Sequence, residues 1–160
     1  MTQRRQVFIL CPGGMISGGP EALHQLAGAL SAHGVAAAMV YYPPRAGPYA
    51  VPEPYRRYGV TVCRGVEDDA ASVIVVPEVA TALSWRFPHA MKAIWWLSVN
   101  NYFKWQHRNP GPSVLDPHPD FVHLCQSRYA QEFLAARRAS PLLMLTDYLP
   151  EGEFAPGPPT

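Results

Sequence analysis

The chain has 160 residues, 48% of them hydrophobic and only 16% charged, which suits one domain with its own core and excludes a disordered chain. A formal net charge of +1, with basic residues scattered in pairs such as Arg4-Arg5, Arg56-Arg57 and Arg137-Arg138, argues against nucleic acid or an anionic membrane surface as partner. No run approaches the ~20 apolar residues of a membrane span.

Residues 7–11 are continuously apolar and rich in β formers, as expected of a strand covered on both faces of a parallel sheet. The run is too short for a signal peptide. The bend Pro12-Gly13-Gly14-Met15-Ile16-Ser17-Gly18-Gly19 follows. A helix then opens with Pro20 in its first turn and Glu21 complementing the positive end of its dipole. Leu23, Leu26, Ala27 and Leu30 form one apolar stripe, and Gly34 suits the cap beyond the last turn. Residues 36–42 read as a second strand, completing a βαβ unit.

Prolines are dense, at 18 of 160 against a usual share of about 5%. They gather at 43–54, 110–119, 141–150 and 156–159, and each group reads as loop. Between them, residues 60–62 predict a short strand, 72–76 a strong one, 78–85 a helix and 92–99 another strand, followed by a polar-aromatic stretch to Trp105. Residues 121–125 read as a strand, Ser127 as the cap of a helix over 128–138, and 142–145 as the last strand. Strands alternating with helices predict an α/β fold: a single Rossmann-like domain over residues 1–150, with an open, mostly parallel sheet and helices on both faces. Residues 151–160 read as a flexible Pro/Gly tail or linker remnant.

Three cysteines, Cys11, Cys63 and Cys125, form no CxxC pair, which removes zinc-ribbon and thioredoxin readings. They read as reduced, buried, structural thiols, and so as a sign of the cytoplasm. The six histidines make no HxH or HExxH pattern, so no metal is expected. His107 and His118 stand in loops as candidate acid/base groups, with solvation the plainer explanation. Glu67-Asp68-Asp69 reads as a solvated run. The absence of Gly-x-Ser-x-Gly weakens a hydrolase reading.

In an open parallel sheet, ligands bind at the carboxyl ends of the strands. That rule selects the glycine bend (Gly14, Ser17, Gly18, Gly19), Glu78 after the fourth strand, Ser98, Asn100, Asn101 and Tyr102 after the fifth, and Ser127 after the sixth. Glycines admit a ligand close to the backbone, and a helix N-terminus offers it free N–H groups. Amides beside aromatic rings suit sugars. The spacing of the bend is neither GxGxxG nor a P-loop, and strand two ends Val40-Tyr41-Tyr42-Pro43 without a ribose-binding carboxylate. A flavin- or nicotinamide-binding enzyme is therefore disfavoured.

Taken together, the bend, Gly19-Pro20-Glu21 and Leu26-Ala27 resemble the first strand-loop-helix of GT-B glycosyltransferases. The segments 95–102 and Gln126-Ser127-Arg128-Tyr129-Ala130 resemble later parts of bacterial members that build surface polysaccharides. The resemblance covers about residues 6–150. It implies an N-terminal, acceptor-side domain whose glycine bend lines a cleft, with Gly14, Ser17, Gly18, Gly19, Ser98, Asn100 and Asn101 on that wall. The family's donor half binds a nucleotide sugar, and retaining members carry two glutamates there, eight positions apart. No two glutamates of this chain have that separation. The expectation is an acceptor-binding half of a glycosyltransferase, taking a sugar or glycan acceptor, holding no cofactor of its own and inactive without a donor-binding domain supplied in cis or trans. The competing reading is a non-catalytic sugar- or partner-binding module, forming homodimers.

Overall fold

A computed structural model describes residues 5–137, 139 and 141–146. Its strands are β1 (Gln6–Pro12), β2 (Ala36–Tyr42), β3 (Val62–Cys63), β4 (Ser72–Pro77), β5 (Met91–Trp96), β6 (Phe121–Cys125) and β7 (Leu142–Met144). They form one seven-stranded sheet in the order β3-β2-β1-β4-β5-β6-β7, and every pairing is parallel. The order reverses at β1, which lies between β2 and β4, so the switch point of a Rossmann-like sheet falls there. The expected tail at 151–160 lies outside the described residues.

Alternation along the strands sorts the core into two layers. Phe8, Leu10, Val40, Ile74, Val76, Ile94, Trp96 and Phe121 point to one face. Ile9, Cys11, Met39, Tyr41, Val75, Ala93 and Trp95 point to the other. Trp95 and Trp96 are both buried, on opposite sides of the sheet.

The second face is covered by α1 (Gly18–Ala32), which buries Ala22, Leu23 and Ala27. Leu26 and Leu30 pack at its border. His24, fully buried in α1, sits between the Pro20 carbonyl (2.6 Å from Nδ1) and the Tyr41 hydroxyl (2.7 Å from Nε2). A carbonyl can only accept, so Nδ1 carries the proton and Nε2 accepts from Tyr41. The first face is covered by α2 (Val99–Trp105) and α3 (Arg128–Ala135), through Val99, Tyr102, Ala130 and Leu134.

Several elements differ from the sequence expectation: the short strand expected at 60–62 is β3 at Val62–Cys63, and the helix expected over 128–138 ends at Ala135. Residues 78–85 form not an α-helix but a 3₁₀ segment, Glu78–Arg86, kinked at Ala80 (φ −133°, ψ 31°). The fifth strand stops at Trp96 rather than running to 99. Ser98 Oγ accepts the N–H of Asn101 at 3.2 Å, so Ser98, expected inside the strand, caps α2, and the polar-aromatic stretch to Trp105 is helical. In the last helix, Ser127 caps α3 as expected, accepting from Ala130 N–H at 3.2 Å.

The thiols are free. Cys11 and Cys125 are buried, and burial pushes the Cys11 thiol up to about 12, which makes it inert. Cys63 is only half-buried. The acidic run works as a pair of loop ties. Asp68 Oδ1 accepts from the N–H groups of His89 (3.0 Å) and Ala90 (2.8 Å), and Asp69 Oδ1 from Ala71 N–H (2.8 Å) and Ser72 Oγ (3.0 Å).

Candidate functional site: a cleft at the carboxyl ends of the strands

A cleft of about 690 Å³ opens where β1, β2, β4, β5 and β6 end, and Pro12, Tyr42, Pro77, Leu97 and Gln126 line it at or just beyond those ends. Its size is that of a small-molecule site.

The glycine bend is its first wall. Gly13 N–H continues the ladder by donating to the Tyr42 carbonyl at 2.9 Å. A side chain at Gly13 would collide with the ring of Tyr49, so the bend and the proline-rich loop 43–49 close on each other only with glycine there. Gly14 follows at φ 71°, in the left-handed region that favours glycine. Its Cα faces open space. The bend ends at Ser17, the extended residue before α1, where a buried tyrosine holds it. The Tyr55 hydroxyl accepts from Ser17 N–H at 2.8 Å and donates to Ser17 O at 2.9 Å. With its backbone fixed, Ser17 stays exposed, and Ser17, Gly18 and Gly19 line the cleft.

Glu78 lies on the cleft floor, only 2% exposed. Its Oε2 accepts the Leu97 N–H at 3.2 Å. Burial raises the carboxyl from 4.5 to about 7, although N–H groups of its own residue, Leu97 and Ser98 work in the opposite direction. Tyr42 stands nearby, and burial also raises its phenol. Its hydroxyl is buried without a partner among the described residues. A buried, unpaired hydroxyl costs about 1–3 kcal/mol. Tyr42→Phe is therefore expected to raise stability by about 1 kcal/mol, read as a higher urea midpoint, provided no ligand occupies the cleft.

The second wall comes from the 3₁₀ segment Glu78–Arg86 and from α2 with the turn after it, which bring Leu83, Arg86, Trp105, Arg108 and Asn109 to the cleft. Asn109 fastens these parts together. Its Oδ1 accepts Ala82 N–H at 3.0 Å, and its Nδ2 donates to the carbonyls of Trp105 (3.2 Å) and Val79 (3.4 Å). The Arg108 guanidinium lies 4.2 Å over the Trp105 ring, a cation–π distance.

Of the residues selected from sequence, the cleft brings together Ser17, Gly18, Gly19, Glu78, Ser98 and Asn101. Gly14 sits on the bend and Asn100, exposed, on the first turn of α2, both outside the cleft lining. Tyr102 turns inward, its ring 4.9 Å from that of Trp96. Ser127 is taken up by its cap, while its neighbour Gln126 reaches the cleft. His107 and His118 do not line it; His118 packs against Trp85 and Phe121. Glu21, part of the family-like Gly19-Pro20-Glu21, pairs with Arg57 at 2.6 Å and with the Tyr58 hydroxyl at 2.9 Å. Sequence reasoning missed Tyr42, Arg86, Trp105, Arg108 and Asn109. Only Tyr42 carried a signal, as the residue that closes strand two.

No group of three or more histidines, cysteines or carboxylates suited to a metal occurs among the described residues. No described helix is long and apolar enough to cross a membrane. Compared with protein-family models, curated proteins and solved structures, the chain gives no match.

Proposed function

We propose that this chain is the acceptor-binding half of a GT-B-type glycosyltransferase, its cleft forming one wall of the site where a sugar passes from a nucleotide-sugar donor to a glycan or other hydroxyl-bearing acceptor. The observation that carries this reading is the open glycine bend: Ser17, Gly18 and Gly19 share one cleft with Ser98, Asn101 and Glu78 at the ends of parallel strands. Exposed backbone and short polar side chains beside apolar ones suit a hydroxyl-bearing ligand. A carboxyl raised to about 7 is suited to taking a proton from an acceptor hydroxyl near neutral pH. Met15 and Ile16, on the same bend, are 51% and 64% exposed, an apolar rim suited to a facing protein surface. The donor would be held by that facing domain.

The test is to titrate the purified chain with nucleotide sugars and acceptors, alone and with candidate donor-binding domains. Turnover only in the mixture is the expected result. Robust turnover by the chain alone would defeat the half-enzyme reading, and failure of every mixture to turn over would defeat the transfer reading.

A further inference from the structure

We propose that the acceptor taken by this cleft is an amphiphilic anion, with an apolar segment against Leu83 and Trp105 and a phosphate or carboxylate group held by Arg86 and Arg108. The inference deepens the acceptor-site reading and rests on it. Both arginines line the cleft and are exposed. Neither makes an ion pair or a side-chain hydrogen bond with another described residue. They stand on two turns that Asn109 joins through its bonds to Val79, Ala82 and Trp105, and Arg108 is further steadied by the Trp105 ring beneath it. Two guanidinium groups on one joined wall are an arrangement for an oxyanion, because their N–H donors match its geometry.

The surroundings leave the positive charge unbalanced. Among the described residues, the one acidic side chain lining the cleft is Glu78, on its floor and 2% exposed. Val79, Ala82, Leu83 and Pro110 add apolar lining beside Trp105, and the neighbouring amide of Asn109 is taken up by its bonds to Val79, Ala82 and Trp105. A purely polar sugar leaves that surface unused, and a purely apolar ligand leaves the arginines unused.

The experiment compares n-octyl phosphate, n-octyl glucoside and inorganic phosphate by calorimetric titration of the full chain. The expected result is that n-octyl phosphate binds at least about tenfold more tightly than either of the others. In the chain carrying Arg86→Gln and Arg108→Gln, with its circular dichroism spectrum unchanged, that preference is expected to vanish. In the Arg86→Lys and Arg108→Lys chain it should return in part. Equal binding of the glucoside, no binding of n-octyl phosphate, or a preference that survives the double glutamine variant overturns the proposal.

Vesicles of phosphatidylcholine with and without phosphatidic acid separate the two sources of such a group. Arginine-dependent sedimentation with the acidic vesicles supports a lipid headgroup, and binding of n-octyl phosphate alone supports a soluble acceptor. Because none of these measurements requires sugar transfer, they stand or fall apart from the turnover assay. Lost turnover with this binding intact removes the transferase reading and leaves the anion site.

Discussion

Trp96→Ala is expected to destabilise the fold by about 3–5 kcal/mol, the largest effect of any single change considered, read as a fall in the urea midpoint. Trp96 is fully buried. Its ring lies 4.9 Å from that of Tyr102 on α2, 5.7 Å from Phe133 on α3 and 6.1 Å from His123 on β6. One side chain thus joins the sheet to both helices of its face. Its Nε1–H donates to His123 Nδ1 at 3.0 Å, so truncation opens a cavity and also leaves a buried acceptor unpaired. Against a total stability of about 5–15 kcal/mol for a typical domain, the loss is severe. Trp96→Phe keeps most of the volume and loses the hydrogen bond, so it should cost less than half as much. Equal losses in the two variants would place the energy in the hydrogen bond and contradict the packing argument.

The second large effect depends on pH. Burial raises the Glu78 carboxyl from 4.5 to about 7, so the folded chain holds that proton more tightly than the unfolded chain. The stabilisation from this proton is fully present below pH 4.5 and is lost as pH rises through about 7. At about 1.4 kcal/mol per pH unit, the loss is of order 3 kcal/mol. Glu78→Gln stays neutral and can still accept the Leu97 N–H. The variant is therefore expected to gain on the parent protein between pH 4.5 and 7.5, by up to about 3 kcal/mol at the upper end, as read from urea midpoints along a pH series. His123 runs the opposite way. Burial lowers its imidazole from 6.5 to about 4, so its contribution is present above pH 6.5 and lost as pH falls toward 4. The two slopes oppose each other in the parent, which makes the difference between parent and Glu78→Gln the informative quantity. A difference that stays constant across the series would show that Glu78 is ionised in the fold throughout.

Much of the architecture could be read from local pattern. The continuous apolar runs within β1, β2 and β4 declare strands covered on both faces, and the stripe of Leu23, Leu26, Ala27 and Leu30 declares α1. α2 could not be read this way, because asparagine and aromatic residues are indifferent helix formers. It forms because Ser98 caps it, because Val99 buries in the same core layer and because Tyr102 packs against Trp96, a contact between separate elements. The kinked turn after β4 is likewise held from a distance, by Asn109. The same division runs through the cleft. The rule that ligands gather at strand ends finds Ser17, Gly18, Gly19, Glu78, Ser98 and Asn101. Arg86, Trp105, Arg108 and Asn109 arrive through long-range hydrogen bonds that no local spacing encodes.

The uniform direction of the sheet has a kinetic side. With every ladder parallel, no two strands can zip together across a tight turn. Each pairing must wait for the intervening chain to cross over and return. The early steps of folding therefore fall to α1 and to the association of β1 with β2 across it. The later ladders each close a loop of their own, a route slower than that of a helical bundle of equal length.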